Sequence, residues 1–225
     1  GKYPEKELLA YGIVPWQIQR SYFQLVKAFE ARNSERILKI SADIGHYIAD
    51  AHVPLHTTEN YNGQLSNQVG IHALWESRLP ELFADDYDYF VGRARYIQSP
   101  LNEAWKILEH TFSLLDSTLL IEKRISGNFP SDQKYTFSER NNKVIREYSL
   151  DYSRAYHDAM MGMVEEQMRR SILAVGSFWY SAWVDAGQPD MDNIIHEKIS
   201  EETVTQTSLH QQHDANGEMI GRPEY

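Results

Sequence analysis

Apolar residues recur every three or four positions along most of this chain, which is the spacing of one face of an α-helix. Between residues 16 and 31, for example, Ile18, Tyr22, Leu25 and Phe29 fall on a single stripe. No convincing run shows the alternation of apolar and polar residues that is typical of a strand. The predicted helices span residues 5–11, 16–31, 34–52, 71–79 and 100–125, with one or two more between residues 137 and 184. The chain is therefore predicted to be all-α.

Capping residues and prolines mark where several of these helices begin and end. Asn33 or Ser34 is expected to cap the helix that follows it. Pro54 should end that helix, because proline disfavours helical geometry in the residue before it. Pro100 suits the first position of a long helix. Residues 80–96 are acidic and aromatic, and we interpret them as a solvated helix end with aromatic packing.

The large apolar residues in the second half predict a sizeable core. The last helix is rich in methionine and aromatic residues, which are core far more often than a cofactor site. We expect burial of Trp16, Phe112, Leu119, Met160, Val164, Ile172, Phe178, Trp179, Tyr180 and Trp183. Residues 1–195 are predicted to form one helical domain. Residues 196–225 carry few large apolar side chains, so this tail should be disordered or peripheral.

Composition limits the chemistry that the chain can carry. Of its 225 residues 42% are hydrophobic, which is enough for one globular core. The net charge of −10 disfavours a stable complex with nucleic acid, because an acidic surface repels polyanions. There is no cysteine, so disulfides and thiolate metal sites are excluded. No apolar run approaches the length of about 20 residues that a transmembrane helix needs. Oligomeric state stays open.

Residues 43–76 hold the candidate chemistry. His46 and Asp50 are four positions apart in a predicted helix, and so are His72 and Glu76, which places each pair on one helical face. His56 lies in the segment between them. One such pair usually decorates a solvated surface, but two pairs and a further histidine among apolar neighbours point to a shared metal. Imidazole and carboxylate ligands suit a borderline metal such as zinc.

The motifs GHYIADAHVPLH and GIHALWE, with Asn60 between them, resemble the zinc-dependent phospholipase C and S1/P1 nuclease superfamily. The resemblance implies an α-helical phosphodiesterase with three zinc ions and a secreted or periplasmic location. His46 and Asp50 would bind the first zinc, with Asp50 bridging to the third. The second zinc would be held by the ligands His56, His72 and Glu76. Asp50 and Glu76 are then the candidate catalytic carboxylates, and no separate nucleophilic side chain is required.

The N-terminal part departs from that superfamily. Its members begin with a tryptophan whose amino group and carbonyl bind the third zinc, and further histidine and aspartate ligands follow. Here the chain starts at Gly1, no histidine precedes His46, no aspartate precedes Asp43, and Trp16 is internal. By this resemblance the second zinc site is complete, while the first has two ligands and the third has one. We interpret the chain as an N-terminally truncated form with weak or no activity, and a degenerate relative that lost these ligands in evolution is the alternative.

Residues 57–69 form a polar loop that is long enough to be functional. Asn60 and Asn67 are candidates for binding substrate phosphate or orienting ligands, although ordinary turn chemistry explains both more simply. His52 also lies four positions before His56. The superfamily pattern uses no ligand there, so we assign His52 to packing or to support of the ligands.

Three functions are consistent with these residues. The first is hydrolysis of a phosphodiester, either a phospholipid headgroup or single-stranded nucleic acid, by water that zinc activates. The second is a non-catalytic helical protein in which a structural zinc at His56, His72 and Glu76 ties two helices together. The third is a metal-free helical interaction module whose histidines are buried and satisfied by hydrogen bonds.

Overall fold

A computed structural model describes residues 12–140 and 143–192 of the chain. The predicted helix at residues 5–11, the end of the domain at residue 195 and the tail 196–225 lie outside the described residues. The helices are α1 (Val14–Glu30), α2 (Ser34–Asp50), α3 (Ile71–Ala73, Leu74–Arg78 and Leu79–Phe83 in continuous succession), α4 (Pro100–Ser113), α5 (Leu115–Asn128), α6 (Leu150–Ala159) and α7 (Met163–Asp185). Short 3-10 turns at Pro54–Thr57 and Ala84–Asp86 follow α2 and α3. The fold is mostly helical, as predicted.

Helices α1 and α2, both predicted from the pattern, pack against each other as a hairpin. The apolar stripe of α1 is buried, with Ile18, Tyr22 and Leu25 fully enclosed. The side chain of Asn33 accepts a hydrogen bond from the backbone N–H of Arg36 at 2.9 Å and caps α2. Each large apolar side chain that is fully buried in the stripe of α1 contributes about 1.5–3 kcal/mol to the stability of the fold. The hairpin packs against α4 and α7 to form the first core.

A second core lies around α3, α6 and the segment after α2. It contains Leu55, Leu74, Leu79 and Tyr156, all with no exposed surface. The chain passes from one core to the other within three residues, since Ala51 belongs to the first and Val53 to the second. The residues that carry the candidate chemistry lie on either side of this passage.

A hairpin of two strands replaces the first part of the helix predicted from residue 137. Strand β1 (Tyr135–Arg140) pairs antiparallel with β2 (Lys143–Tyr148), with Tyr135 opposite Tyr148. The helix prediction was wrong here because the outer part of the hairpin faces solvent and shows no alternation of apolar and polar residues. Phe137 is 71% exposed, and the other outer positions are mainly polar. Only the base is buried, through Tyr148. Of the one or two helices predicted between residues 137 and 184, the structure has two, α6 and α7, which follow the hairpin.

Two predicted helix boundaries were also wrong. The single helix predicted for residues 100–125 is broken at Leu114, whose N–H bonds to Thr111 O, and Phe112 beside the break is 59% exposed instead of buried. No glycine or proline marks this break. Helix α3 does not end at residue 79 but continues through Pro80 to Phe83, by way of a wide turn.

The last helix is less buried than its composition suggests. Met160, Val164 and Phe178 are in the core, as predicted. Trp179 and Tyr180 are 41% and 40% exposed, and Ile172 and Trp16 are also substantially exposed. The polar edge of Trp179 explains its position, because its indole N–H donates to Ser41 O at 3.1 Å and holds the ring at the surface. Within the described ranges, no helix is long and apolar enough to cross a membrane.

Candidate metal centre

The candidate ligands lie at the ends of short elements that prolines and glycines delimit. Helix α2 ends at Asp50, and Pro54 opens a 3-10 turn that contains His56. Gly70, with a left-handed φ of 97°, then turns the chain into α3. This geometry is favourable for glycine alone among the common residues. His72 follows in the first turn of α3.

Three side chains converge between the 3-10 turn and α3. His56 Nε2 lies 2.9 Å from His72 Nε2 and 3.3 Å from a carboxylate oxygen of Glu76. The same Glu76 oxygen lies 2.7 Å from His72 Nε2. Within residues 12–140 and 143–192 this is the group found to be suitable for a metal ion. Two imidazole nitrogens and one carboxylate oxygen could hold such an ion.

The hydrogen bond of His56 Nδ1 leaves Nε2 of the same ring available to bind a metal. His56 Nδ1 donates to Asp50 O at 3.1 Å, so Nδ1 carries the proton. In the neutral ring Nε2 is then left with a lone pair directed at His72 and Glu76. A hydrogen bond of this kind from the second nitrogen is the usual support of a metal-bound histidine.

The spacing of the ligand atoms also fits zinc. Bonds of about 2.0–2.2 Å in a tetrahedron separate neighbouring ligand atoms by roughly 3.3 Å. The three separations here are 2.9, 3.3 and 2.7 Å, so the shortest would have to widen by about 0.6 Å on metal binding. The donor set therefore fits the ion that the sequence suggests.

The charges of the site are strongly coupled. Burial opposes ionisation of Glu76, but hydrogen bonds from His56 and His72 outweigh it and lower the pKa of this carboxyl well below its usual range. Burial likewise opposes protonation of His56, but its hydrogen bond with Glu76 raises the pKa of the imidazole overall. Without a metal these shifts favour an ionised Glu76 beside a protonated His56, so a metal ion would have to displace the proton from His56 Nε2.

His46 and Asp50 form a separate pair beside this group. Their side chains approach to 3.4 Å on the surface of α2, where the His46 side chain is 71% exposed. Asp50 also lies 3.9 Å from His56 Nδ1, so the pair adjoins the three converging residues without joining them. Burial raises the pKa of Asp50, against the effect of the neighbouring His46 and His56.

The two asparagines of the loop differ from each other in structure. Asn60 makes local turn contacts: its amide nitrogen donates to Ser66 Oγ at 2.9 Å, and its oxygen accepts from the Leu65 N–H at 2.7 Å. Asn67 has a left-handed φ of 60°, a conformation that asparagine tolerates better than most residues. Turn formation therefore accounts for both residues. A separate asparagine, Asn62, accepts the Gly70 N–H at 3.0 Å and fixes the start of α3.

His52 is not part of the group. It is 5% exposed, its Nδ1 bonds to Ile48 O at 2.7 Å, and its carbonyl accepts from Gln167. These contacts agree with the packing role that we assign to it from the sequence.

Sequence reasoning missed a buried ion pair that supports the loop. Glu122 is 1% exposed and accepts from Gln68 at 2.6 Å, from Lys134 at 3.2 Å and from the Tyr152 hydroxyl. Gln68 lies two residues before Gly70, so this ion pair holds the segment that leads into α3. A glutamate among the leucines and isoleucines of a helix was the available signal, but nothing in the sequence identified its partners.

The β-hairpin supports the same helix from its other side. The Tyr148 hydroxyl donates to Val69 O at 3.3 Å, beside the first residue of α3. Arg78 in α3 donates to Tyr148 O and forms an ion pair with Glu147 at 3.2 Å. Both ends of the segment that carries His72 and Glu76 are thus attached to β2.

Comparisons of this chain with protein-family models, with curated proteins and with solved structures found no match. The function of this chain is therefore inferred from its residues and their geometry.

Proposed function

We propose that this chain is a zinc-dependent phosphodiester hydrolase of the phospholipase C and S1/P1 nuclease type. The observation that carries the proposal is the convergence of His56, His72 and Glu76, whose ligand atoms all lie within 4.8 Å of one another. Their order and spacing in the sequence are those that the resemblance assigns to one zinc. The mostly helical fold is compatible with the phospholipase C and P1 nuclease type that we expect.

The protein residues supply binding and orientation. When bound, zinc provides a Lewis acid and lowers the pKa of coordinated water to about 7. His56 and His72 contribute neutral nitrogens and Glu76 a single negative charge, so a divalent cation leaves the site with a net positive charge. This local charge attracts a phosphodiester despite the acidic net charge of the chain.

Asp50 has two roles in this proposal. Its backbone carbonyl fixes the tautomer of His56, and its carboxylate with His46 offers an imidazole–carboxylate pair for a further zinc. By the resemblance, His46 and Asp50 would be two ligands of the first zinc, and Asp50 would be one ligand of the third. The substrate class, a phospholipid headgroup or single-stranded nucleic acid, and a secreted or periplasmic location follow from the resemblance alone.

A structural zinc is the rival proposal. Structural sites are closed by four protein ligands, whereas catalytic sites keep one position for water. In the part of the chain that is described, three residues form the group. This open ligand count favours the hydrolase over the structural role.

The test combines metal analysis with an assay for hydrolysis of bis(p-nitrophenyl) phosphate. We expect bound zinc in the purified chain, slow turnover with zinc and none after chelation. Glu76→Gln should lose both zinc and turnover, while Glu81→Gln, which changes an acid of the same helix outside the group, should keep both. Zinc without any turnover would support the structural role, and absence of zinc binding would refute both proposals.

A further inference from the structure

Helix α3 contains a wide turn at the position of a candidate metal ligand. The Leu79 N–H donates to Leu74 O, five residues back, so Leu74–Arg78 is a π-helical turn. Glu76 lies inside this turn, whereas His72 lies in the ordinary turn before it. Such turns are rare, are found mostly singly within α-helices, and occur frequently at functional sites.

Pro80, which follows the turn, accounts for the widening of the helix. In an unbroken α-helix the amide of residue 80 would donate to Glu76 O, but Pro80 has no N–H, and its ring would collide with that carbonyl. The wide turn adds a residue before Pro80 and removes the collision. Normal bonding then resumes, since the Ala84 N–H donates to Pro80 O.

We propose that Pro80 is a positioning residue, which imposes the wide turn and thereby directs the carboxylate of Glu76 at His56 and His72. This inference rests on the proposed metal centre. One additional residue in a turn shifts the side chains around the helix axis relative to those before it. The interval of four already brings Glu76 near His72, so the wide turn sets the angle at which the carboxylate also reaches His56, 3.3 Å away.

The surrounding contacts prevent α3 from compensating by rotation. Its start is held by Asn62 at Gly70, and Arg78 is bonded to Tyr148 O at 3.2 Å. Leu74 and Leu79, on either side of Glu76, are both fully buried in the second core. If the turn tightened, Glu76 would have to move relative to His56, which lies on a separate element.

The experiment compares Pro80→Ala with the wild-type chain and with Pro100→Ala, which removes a proline from the first position of a helix. We expect Pro80→Ala to fold with equal or greater stability without metal, because alanine is the better residue inside a helix. Its affinity for zinc, measured by calorimetry, should fall about 10–100-fold, as is typical when the support of a metal ligand is lost. Pro100→Ala should bind zinc like the wild-type chain.

A second measurement does not depend on metal. In the metal-free wild-type chain, nuclear magnetic resonance should detect the coupling across the hydrogen bond from Leu79 N–H to Leu74 O, and a contact between Glu76 and His56. Both should be lost in Pro80→Ala. Persistence of both signals, or unchanged zinc affinity in Pro80→Ala, would overturn the role of Pro80 and leave the metal centre intact. If the wild-type chain binds no zinc, the metal centre fails, and these two signals alone decide whether Pro80 sets the turn and the position of Glu76.

Discussion

The buried imidazole of His52 should make the stability of this protein sensitive to acid. Burial lowers the pKa of His52 from 6.5 to about 4, against the hydrogen bond to Ile48 O and with smaller contributions from the charges of Arg170 and His110. The unfolded chain keeps an ordinary histidine pKa. Because the folded-state pKa is the lower one, the unfolded state takes up its proton first as the pH falls. The contribution of neutral His52 to stability is therefore complete above pH 6.5 and is lost progressively down to about pH 4.

The size of this loss follows from the two pKa values. Each pH unit between them corresponds to about 1.4 kcal/mol, so protonation of His52 in the unfolded state removes roughly 3 kcal/mol in total. Little solvent screening is expected, since the residue is 5% exposed. Such a loss is a large part of the stability of about 5–15 kcal/mol that is typical of folded domains.

The variant His52→Asn tests this value. Asparagine places an amide donor near the position of Nδ1, where it can still bond to Ile48 O, and it does not titrate. In urea unfolding with a metal chelator present, His52→Asn should be less stable than the wild-type chain by a constant amount above pH 6.5, because packing is lost. This difference in the free energy of unfolding should shrink or reverse towards pH 4, because only the wild-type chain loses the contribution of His52. His46→Asn, which removes a largely exposed imidazole, should follow the wild-type chain. If wild-type and His52→Asn lose stability in parallel over this pH range, the assigned pKa of His52 is wrong.

Two further predictions concern the metal and the buried ion pair. Zinc at 100 times its dissociation constant should stabilise the fold by about 2.7 kcal/mol and raise the Tm by about 5–11 °C, and neither chelated protein nor His72→Gln should show this increase in calorimetry. An equal increase in His72→Gln would place the zinc elsewhere. Lys134→Met should cost about 3–5 kcal/mol in urea unfolding, because Glu122 then stays buried without its cation. The double variant Glu122→Gln with Lys134→Met should recover most of that loss, and failure to recover it would show that the charge is not the cause.

The parts of the site that were predictable are those that depend on local spacing. The interval of four between His72 and Glu76 places both on one side of α3, and a proline at position 54 ends α2 where expected. His56 was predicted to contribute because it lies in the short segment between the two pairs. The structure brings His56, His72 and Glu76 together and leaves His46 and Asp50 as a neighbouring pair.

The parts that were not predictable depend on contacts between distant residues. Gln68 and Glu122 are 54 residues apart in sequence, and Arg78 and Tyr148 are 70 apart, so no local pattern indicates either contact. The hairpin was missed for the same reason, because its base is buried against α3 and its outer half has no apolar face. The wide turn in α3 was predictable only in part. Pro80 indicated a disturbance, but it gave no indication that the helix would widen and continue.

The division of the fold into two cores has a consequence for the metal site. His56, His72 and Glu76 are carried by elements that belong to the second core, whereas His46 and Asp50 are carried by α2 in the first. A small displacement of one core against the other would therefore change the 3.9 Å between Asp50 and His56 but not the distances among the three converging residues. The contact from His56 Nδ1 to Asp50 O is the direct hydrogen bond between the two groups. A zinc held by His56, His72 and Glu76 therefore depends on the placement of α2 through this hydrogen bond, while any second zinc beside Asp50 also requires the side chains of α2 to be correctly placed.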